Sequence, residues 1–166
     1  MRIIGLVMLL GASAFAQVSP AAAPAACGPT KVIFNVKLDE SQHALAQPEP
    51  GKALVYFIQE KGADTFAVTT PIGLDGAWVG ANKNNSYFAT SVQPGEHHVC
   101  ASVQSFRGHP VGLVHFTAEA GIIYYFSARV IFGEATNPYL FLGAVDSDQA
   151  KYLIASDPLS ISNPKK

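Results

Sequence analysis

The sequence predicts an all-β protein, a single antiparallel β-sandwich of about seven to nine strands with one short C-terminal helix. Two observations lead to this prediction. Short runs rich in Val, Ile, Phe and Tyr alternate between apolar and polar residues, as half-buried strands do. Turn sequences such as Asp75-Gly76 and Pro94-Gly95 separate these runs at short intervals. Strands at such spacing favour a sandwich or barrel over βαβ units.

The strands can be placed one after another along the chain. The first is predicted between Val32 and Leu38, where apolar and polar residues alternate, and a loop containing Pro48 and Pro50 follows it. The later candidates cover residues 52–60, 65–74, 77–82, 86–93, 96–106, 111–119, 122–132 and 139–145. Asp75-Gly76 suits a tight hairpin, because both positions of such a turn need left-handed backbone angles.

One helix is predicted near the C-terminus, over residues 147–155. Asp146 or Ser147 can cap its first turn, since both side chains carry an oxygen that accepts hydrogen bonds from free backbone N–H groups. The last predicted strand ends at residue 145, so the predicted helix follows directly after the series of predicted strands.

The N-terminus is typical of a secretory signal peptide over residues 1–16. Arg2 gives a basic start, an apolar run follows from Ile3 to Leu10, and Ala14-Phe15-Ala16 forms an A-x-A cleavage site. The apolar run is shorter than the ~20 residues that a membrane span needs. We therefore expect export to the periplasm or the extracellular space, and no membrane span after cleavage.

The rest of the chain divides into three parts. Residues 17–30 are rich in Ala and Pro and are predicted to be a linker. Residues 31–160 would form the β-sandwich domain, and residues 161–166 a C-terminal tail. The whole chain has 166 residues, which is enough for one domain with a substantial core.

The two cysteines, Cys27 and Cys100, are predicted to form a disulfide, because an even count in an exported chain favours a bridge. Two free thiols are the alternative. The bridge would contribute about 4 kcal/mol in the chain-entropy model. Val99, Ala101 and Val103 would face the core, so Cys100 would face outward and the bridge would strap the N-terminal segment across its strand.

Charge excludes two classes of partner. The chain has 11 basic and 12 acidic residues and a formal net charge of −1, so it lacks the basic surface that nucleic acids or anionic membranes attract. A hydrophobic content of 49 % also argues against intrinsic disorder. We expect no nucleic-acid partner.

The order of motifs in the centre of the chain resembles a known kind of domain. Leu74-Asp75-Gly76-Ala77-Trp78-Val79-Gly80 is followed by Pro94-Gly95-Glu96-His97-His98 and by Ala120-Gly121-Ile122-Ile123-Tyr124-Tyr125-Phe126. Over residues 51–132 this order resembles an uncharacterised family of bacterial secreted and lipoprotein envelope domains, a domain of unknown function. It is also similar to PEGA-type surface domains. The resemblance implies a transthyretin-like or carboxypeptidase-regulatory-like β-sandwich and carries no catalytic residue.

The residues His97, His98 and Cys100 invite comparison with a metal site. Neighbouring residues of a strand point to opposite faces, so His97 and His98 cannot bind one ion together. His98 and Cys100 share a face, but two ligands do not complete a zinc site, and an oxidised cysteine is not a ligand. We therefore expect neither a metal site nor a cofactor.

Catalysis is not expected either. The sequence after Ala16 contains no nucleophile elbow, HExxH helix, phosphate-binding glycine loop or calcium loop. The alternative is a small exported hydrolase or metalloprotein whose site assembles in space. Such a site would need two or more of a small set of residues around one pocket: His97, His98, His109, His115, Asp75 and Glu119.

Aromatic side chains suggest a binding surface instead. Tyr125 and Arg129 should point outward from the last long strand, and Trp78 lies beside a hairpin turn. The alternative is that the rings fill the core. We expect an exported, non-catalytic binding or structural module of the bacterial cell envelope, with an envelope protein or glycan as its partner.

Overall fold

The computed structural model describes residues 26–28, 31–43, 45–60, 68–103, 110–131 and 139–165. Its elements follow in chain order: β1 (Phe34–Asp39), β2 (Ala53–Glu60), β3 (Thr69–Leu74), β4 (Ala77–Lys83), β5 (Ser86–Val92), β6 (Gly95–Ser102), β7 (Val111–Ala118), β8 (Ile123–Ile131), β9 (Tyr139–Ala144), α1 (Ser147–Ser156) and β10 (Leu159–Pro164). The predicted β-rich fold with a single short helix is therefore confirmed for the described residues.

The strands form two sheets that enclose one apolar core. Sheet A has six strands in the order β1-β10-β5-β2-β8-β9, and sheet B has four in the order β4-β3-β6-β7. Both sheets contribute to the same core cluster, for example Phe57 from β2, Ile72 from β3 and Val99 from β6. The two sheets therefore pack face to face, as in a sandwich.

Two features differ from the prediction. The structure has ten strands where about seven to nine were expected, and its pairing is not purely antiparallel. Strand β2 runs parallel to β8, and β10 runs parallel to β5. Parallel neighbours need a long connection, and the chain between β2 and β8 supplies it by building β3 to β7. No short turn joins the strands of these parallel pairs, so local turn signals in the sequence could not predict the pairing.

Strand β10 was not predicted, and its last four residues lie in the segment 161–166 that was expected to be a tail. It pairs with β1 along its whole length. Its serines also complete the edge of sheet B: the Ser160 hydroxyl donates to the Ala81 carbonyl at 2.8 Å, and the Ser162 hydroxyl accepts from the Ala81 N–H at 2.9 Å. Side chains thus satisfy backbone groups that an edge strand would otherwise leave free.

Helix α1 covers the outer face of sheet A. Asp146 caps it by accepting hydrogen bonds from the backbone N–H groups of Asp148 and Gln149, as predicted. Ile154 of the helix is fully buried and belongs to a second apolar cluster with Tyr56 of β2. Strand β2 is consequently buried on both faces.

The disulfide prediction is confirmed. Cys27 and Cys100 are bonded, with their Cα atoms 5.1 Å apart. Val99, Ala101 and Val103 face the core, and Cys100 pairs with Gly73 on β3. A Cβ at Gly73 would lie 2.7 Å from the Ala26 carbonyl oxygen, so the N-terminal segment lies directly on this strand. We call residues 26–28 the strap.

The remaining domain predictions fall largely outside the described residues. The predicted signal peptide, residues 1–16, and most of the predicted linker, residues 17–30, are not among them. In the part of the chain that is described, no helix has both the length and the apolar character needed to cross a membrane.

Candidate functional site

Arg129 lies where it was expected, on the exposed outer face of β8. Its guanidinium makes an ion pair with Glu60 of the neighbouring parallel strand, at 2.5 Å between Arg129 Nη2 and Glu60 Oε2. The arginine side chain is 45 % exposed and the glutamate only 14 %. The pair therefore presents a fixed guanidinium on the surface of sheet A.

Tyr125 was predicted to be exposed, but the structure shows that it is buried. It faces away from the core, as the alternation of β8 requires, but it is 9 % exposed because it packs in the cluster beneath helix α1. Its ring stacks on that of Tyr56, with the centroids 5.6 Å apart. Burial raises the pKa of both phenols. Tyr125 therefore contributes to packing rather than to a free surface.

Trp78 is partly buried on the outer face of sheet B. It lies opposite Gly73, beside a register shift in the β3–β4 pair. Its indole ring packs against Gly28 of the strap. Trp78 and Arg129 therefore lie in different sheets, and the three residues predicted as one binding surface do not come together.

A different exposed aromatic pair lies beside Arg129. Tyr139 and Phe141 of β9 are 56 % and 52 % exposed. Phe141 is the cross-strand partner of Arg129, and Tyr139 is that of Ile131. We call Arg129, Tyr139 and Phe141 the β8–β9 surface. The sequence does not indicate this surface, because residues 139–145 include no charged residue that would mark one face, and only the structure shows that Leu140 and Leu142 face the core.

A glycine shapes the aromatic part of this surface. A Cβ at Gly143 would lie 2.8 Å from Cζ of the Phe141 ring. Because glycine has no side chain, the ring can lie along the strand and cover the Gly143 backbone while it remains half exposed. Strand β9 is also the last strand of sheet A, so this surface stands at an edge.

Asp157 adds a second carboxyl group near Glu60. It follows the C-terminus of α1, is 7 % exposed, and has one oxygen, Oδ2, that is buried without a hydrogen-bond partner. Burial raises the pKa of Asp157, and the nearby Glu60 raises it further. The Arg129–Glu60 pair thus lies near a carboxyl group whose pKa is raised.

Asp75 and His97, both candidates for a spatially assembled site, do come together. His97 Nδ1 lies 2.6 Å from Asp75 Oδ2, and His97 Nε2 lies 2.7 Å from the Gln93 carbonyl oxygen. Both partners are acceptors, so both contacts are satisfied only when both ring nitrogens carry a proton, and the site therefore favours the imidazolium form. In that form neither ring nitrogen of His97 can accept a proton as a general base would.

The pKa shifts of this pair agree with a cation facing an anion. Partial burial alone would lower the pKa of His97, but its bonds to Gln93 and Asp75 outweigh burial, so the pKa is raised. Burial alone would raise the pKa of Asp75, but hydrogen bonds from His98 and His97 outweigh it, so that pKa is lowered. The arrangement is an ion pair joining two turns.

His98 points to the opposite face from His97, as predicted. His97 is paired with Phe116 of β7, and His98 with His115. The rings of His98 and His115 have their centroids 6.2 Å apart. His109 lies outside the described residues. Glu119 follows β7, and its backbone N–H donates to the Tyr124 hydroxyl.

Metal ligands are not gathered into a ready-made group. Among the residues the structure describes, no three His, Cys, Asp or Glu side chains lie close enough together to hold an ion. What the geometry does gather is an exposed aromatic and guanidinium surface on sheet A, the Asp75–His97 pair between the β3–β4 turn and β6, and a histidine pair on sheet B.

Comparison with known proteins identifies the family. No curated protein matches the sequence. Residues 49–140 match a family described as "Protein of unknown function (DUF2846)", and this range is more than half of the chain. This range includes all the strands from β2 to β8. The chain therefore belongs to the family of proteins of unknown function DUF2846.

Proposed function

We propose that this protein is an exported, non-catalytic binding module of the bacterial cell envelope, and that it holds a protein partner through the β8–β9 surface. The observation that carries the proposal is the exposure of two aromatic rings, Tyr139 and Phe141, directly beside Arg129 on an edge strand. Aromatic residues and arginine are the residue types most enriched where proteins bind one another.

The rigidity of this surface supports a binding role. Phe141 rests on Gly143, and Arg129 is held by Glu60. Side chains that are already ordered lose little conformational entropy when a partner arrives, so more of the contact energy appears as affinity. The strands beneath these residues are the central β8 and its neighbour β9, which are fixed by the core.

Export is supported by the residues at the N-terminus and by the disulfide. The sequence of residues 1–16 has the three parts of a signal peptide. The Cys27–Cys100 bridge fits an oxidising compartment such as the periplasm or the extracellular space. The resemblance of the motif order to secreted and lipoprotein envelope domains is the support for a bacterial setting.

The charged pair supports a non-catalytic role. Asp75 and His97 are the titratable candidates whose side chains bond to each other, and each ring nitrogen of His97 lies against an acceptor. A histidine held in this way ties two turns together, and in its doubly protonated form it has no lone pair for proton abstraction. We therefore assign the pair to stability rather than to chemistry.

The test is a pull-down with the oxidised protein. It would be mixed with solubilised envelope proteins and, separately, with peptidoglycan, and bound proteins identified by mass spectrometry. We expect saturable capture of a defined envelope protein, weakened at least about tenfold by Phe141→Ala. Tyr152→Ala is the matched control, since Tyr152 is 73 % exposed on helix α1 and lies outside the surface.

Four outcomes would contradict the proposal. An absence of saturable capture would show that the protein does not hold an envelope protein. Capture that Phe141→Ala leaves unchanged would show that the partner does not bind through the β8–β9 surface. Equal losses in Phe141→Ala and Tyr152→Ala would indicate non-specific adhesion of exposed rings. Retention by peptidoglycan alone would replace the protein partner with a glycan.

A further inference from the structure

We propose that His98 and His115 form a binding site for a divalent transition-metal ion on the outer face of sheet B. The two residues are direct cross-strand partners of the antiparallel β6–β7 pair. Their ring centroids are 6.2 Å apart. Side chains at such positions project from the same face of the sheet, so both imidazoles can reach one point above it.

The histidines are accessible from solvent. The His98 side chain is 50 % exposed, and His115 is also exposed. The adjacent residues Val99 and Val114 point the other way, into or against the core. The imidazoles are therefore neither part of the core nor covered by the strap, and an ion can reach them without any opening of the fold.

The backbone of His98 is held in place by Asp75. The Asp75 carboxylate oxygen Oδ1 accepts from the His98 N–H at 2.8 Å, and the Asp75 N–H donates to the His98 carbonyl at 2.9 Å. Because the backbone N–H and carbonyl of His98 are both hydrogen-bonded, only the two side-chain torsions of the imidazole must adjust when an ion binds. The binding of an ion therefore costs less conformational entropy than it would on a flexible backbone.

Glu96 offers a third ligand on the same face. It precedes His98 by two residues on β6, and its Oε1 lies 3.6 Å from His98 Nε2. The two histidines and Glu96 are not gathered around one point in the described structure, but the Glu96 side chain is 65 % exposed and can turn toward an ion without breaking any packing. Two imidazoles and a carboxylate, with water in the other positions, are a common ligand set for transition metals.

The ligand types select the class of metal. Imidazole suits Zn²⁺, Cu²⁺ and Ni²⁺, whereas Ca²⁺ and Mg²⁺ prefer oxygen ligands alone. Metal–nitrogen distances near 2.0–2.1 Å bring two coordinating nitrogens to about 3.3 Å from each other. The rings must therefore turn toward each other as the ion binds, and their exposure permits this. Cu²⁺ should bind most tightly among these ions.

The test is titration of the full-length, oxidised protein with Cu²⁺ by calorimetry and electron paramagnetic resonance. We expect one ion per chain with nitrogen hyperfine structure. His98→Asn and His115→Asn should each weaken binding at least about tenfold and remove one nitrogen from the spectrum. His43→Asn is the matched control, because His43 is exposed in a loop remote from β6 in sequence.

Further results distinguish a built site from scattered surface histidines. A smaller loss in Glu96→Gln than in the histidine variants would support the carboxylate as a third ligand. Binding that survives both His98→Asn and His115→Asn, or that His43→Asn weakens equally, would overturn the proposal. The site lies on sheet B, so its failure would leave the protein-binding proposal for sheet A unaffected.

Discussion

At the scale of single residues, the Asp75–His97 pair makes stability depend on pH in a defined direction. The pKa of His97 is raised from 6.5, so its contribution is complete below pH 6.5 and is lost as pH rises through the higher folded value. The pKa of Asp75 is lowered from 3.8, so its contribution is complete above pH 3.8 and is lost as pH falls through the lower folded value. Both contributions are therefore complete between pH 3.8 and pH 6.5.

We therefore expect His97→Gln to flatten the fall in unfolding free energy above pH 6.5, with a loss of up to about 1 kcal/mol at pH 6, since the pair is partly exposed. Urea unfolding at a series of pH values measures this. His43→Gln controls for the loss of any histidine. The same alkaline slope in His97→Gln as in the unchanged protein would show that the ion pair contributes nothing.

At the scale of elements, the strap depends on its disulfide. The bridge joins residues 73 apart in sequence, so its removal frees a long loop in the unfolded chain. We expect the variant with both Cys27→Ala and Cys100→Ala to lose about 2–4 kcal/mol in unfolding free energy. Trp78 is the single tryptophan of the chain and packs against Gly28, so its emission should shift to longer wavelength when the strap is released.

Reduction of the unchanged protein is the control for that variant. Dithiothreitol should reproduce both the loss of stability and the shift in emission, and it should have no effect on the double variant. If reduction moves neither quantity, the strap stays bound without its disulfide. In that case the contacts of Ala26 and Gly28, and not the bridge, would hold the segment on sheet B.

Elements joined by short turns were predictable from the sequence, because their signals are local. Asp75 and Gly76 take positive φ angles of 49° and 81°, as a tight hairpin requires, and the helix begins at its predicted cap. The parallel pairing of β2 with β8 has no local signal. The burial of Tyr125 was missed because alternation indicates which face a residue is on and not whether a helix covers that face.

The candidate sites show the same division between local and long-range information. The opposite orientations of His97 and His98 followed from the period of a strand. The meeting of His98 with His115 depends on the register of two strands, and Gly108 between them indicates a turn without fixing that register. Phe141 was within a predicted strand, but its exposure depends on β9 being the edge of sheet A.

At the scale of the whole molecule, the two ends of the described domain meet in one sheet. Strand β1 pairs with β10, and β10 also completes the edge of sheet B through Ser160 and Ser162. Truncation after Pro158 would remove the neighbour of β1 and leave two backbone groups of Ala81 without partners, at about 1–3 kcal/mol each. That is a large part of an ordinary domain stability of about 5–15 kcal/mol.

We therefore expect truncation after Pro158 to abolish the cooperative urea transition, whereas truncation after Pro164 should preserve it. A synthetic peptide of residues 159–166 should restore the transition in a concentration-dependent way, because a fragment that binds only the folded chain stabilises it by mass action. If the chain ending at Pro158 unfolded cooperatively at an unchanged midpoint, β10 would be an accessory to the fold. Sheet A would then be stable without the strand that brings the two ends of the described domain together.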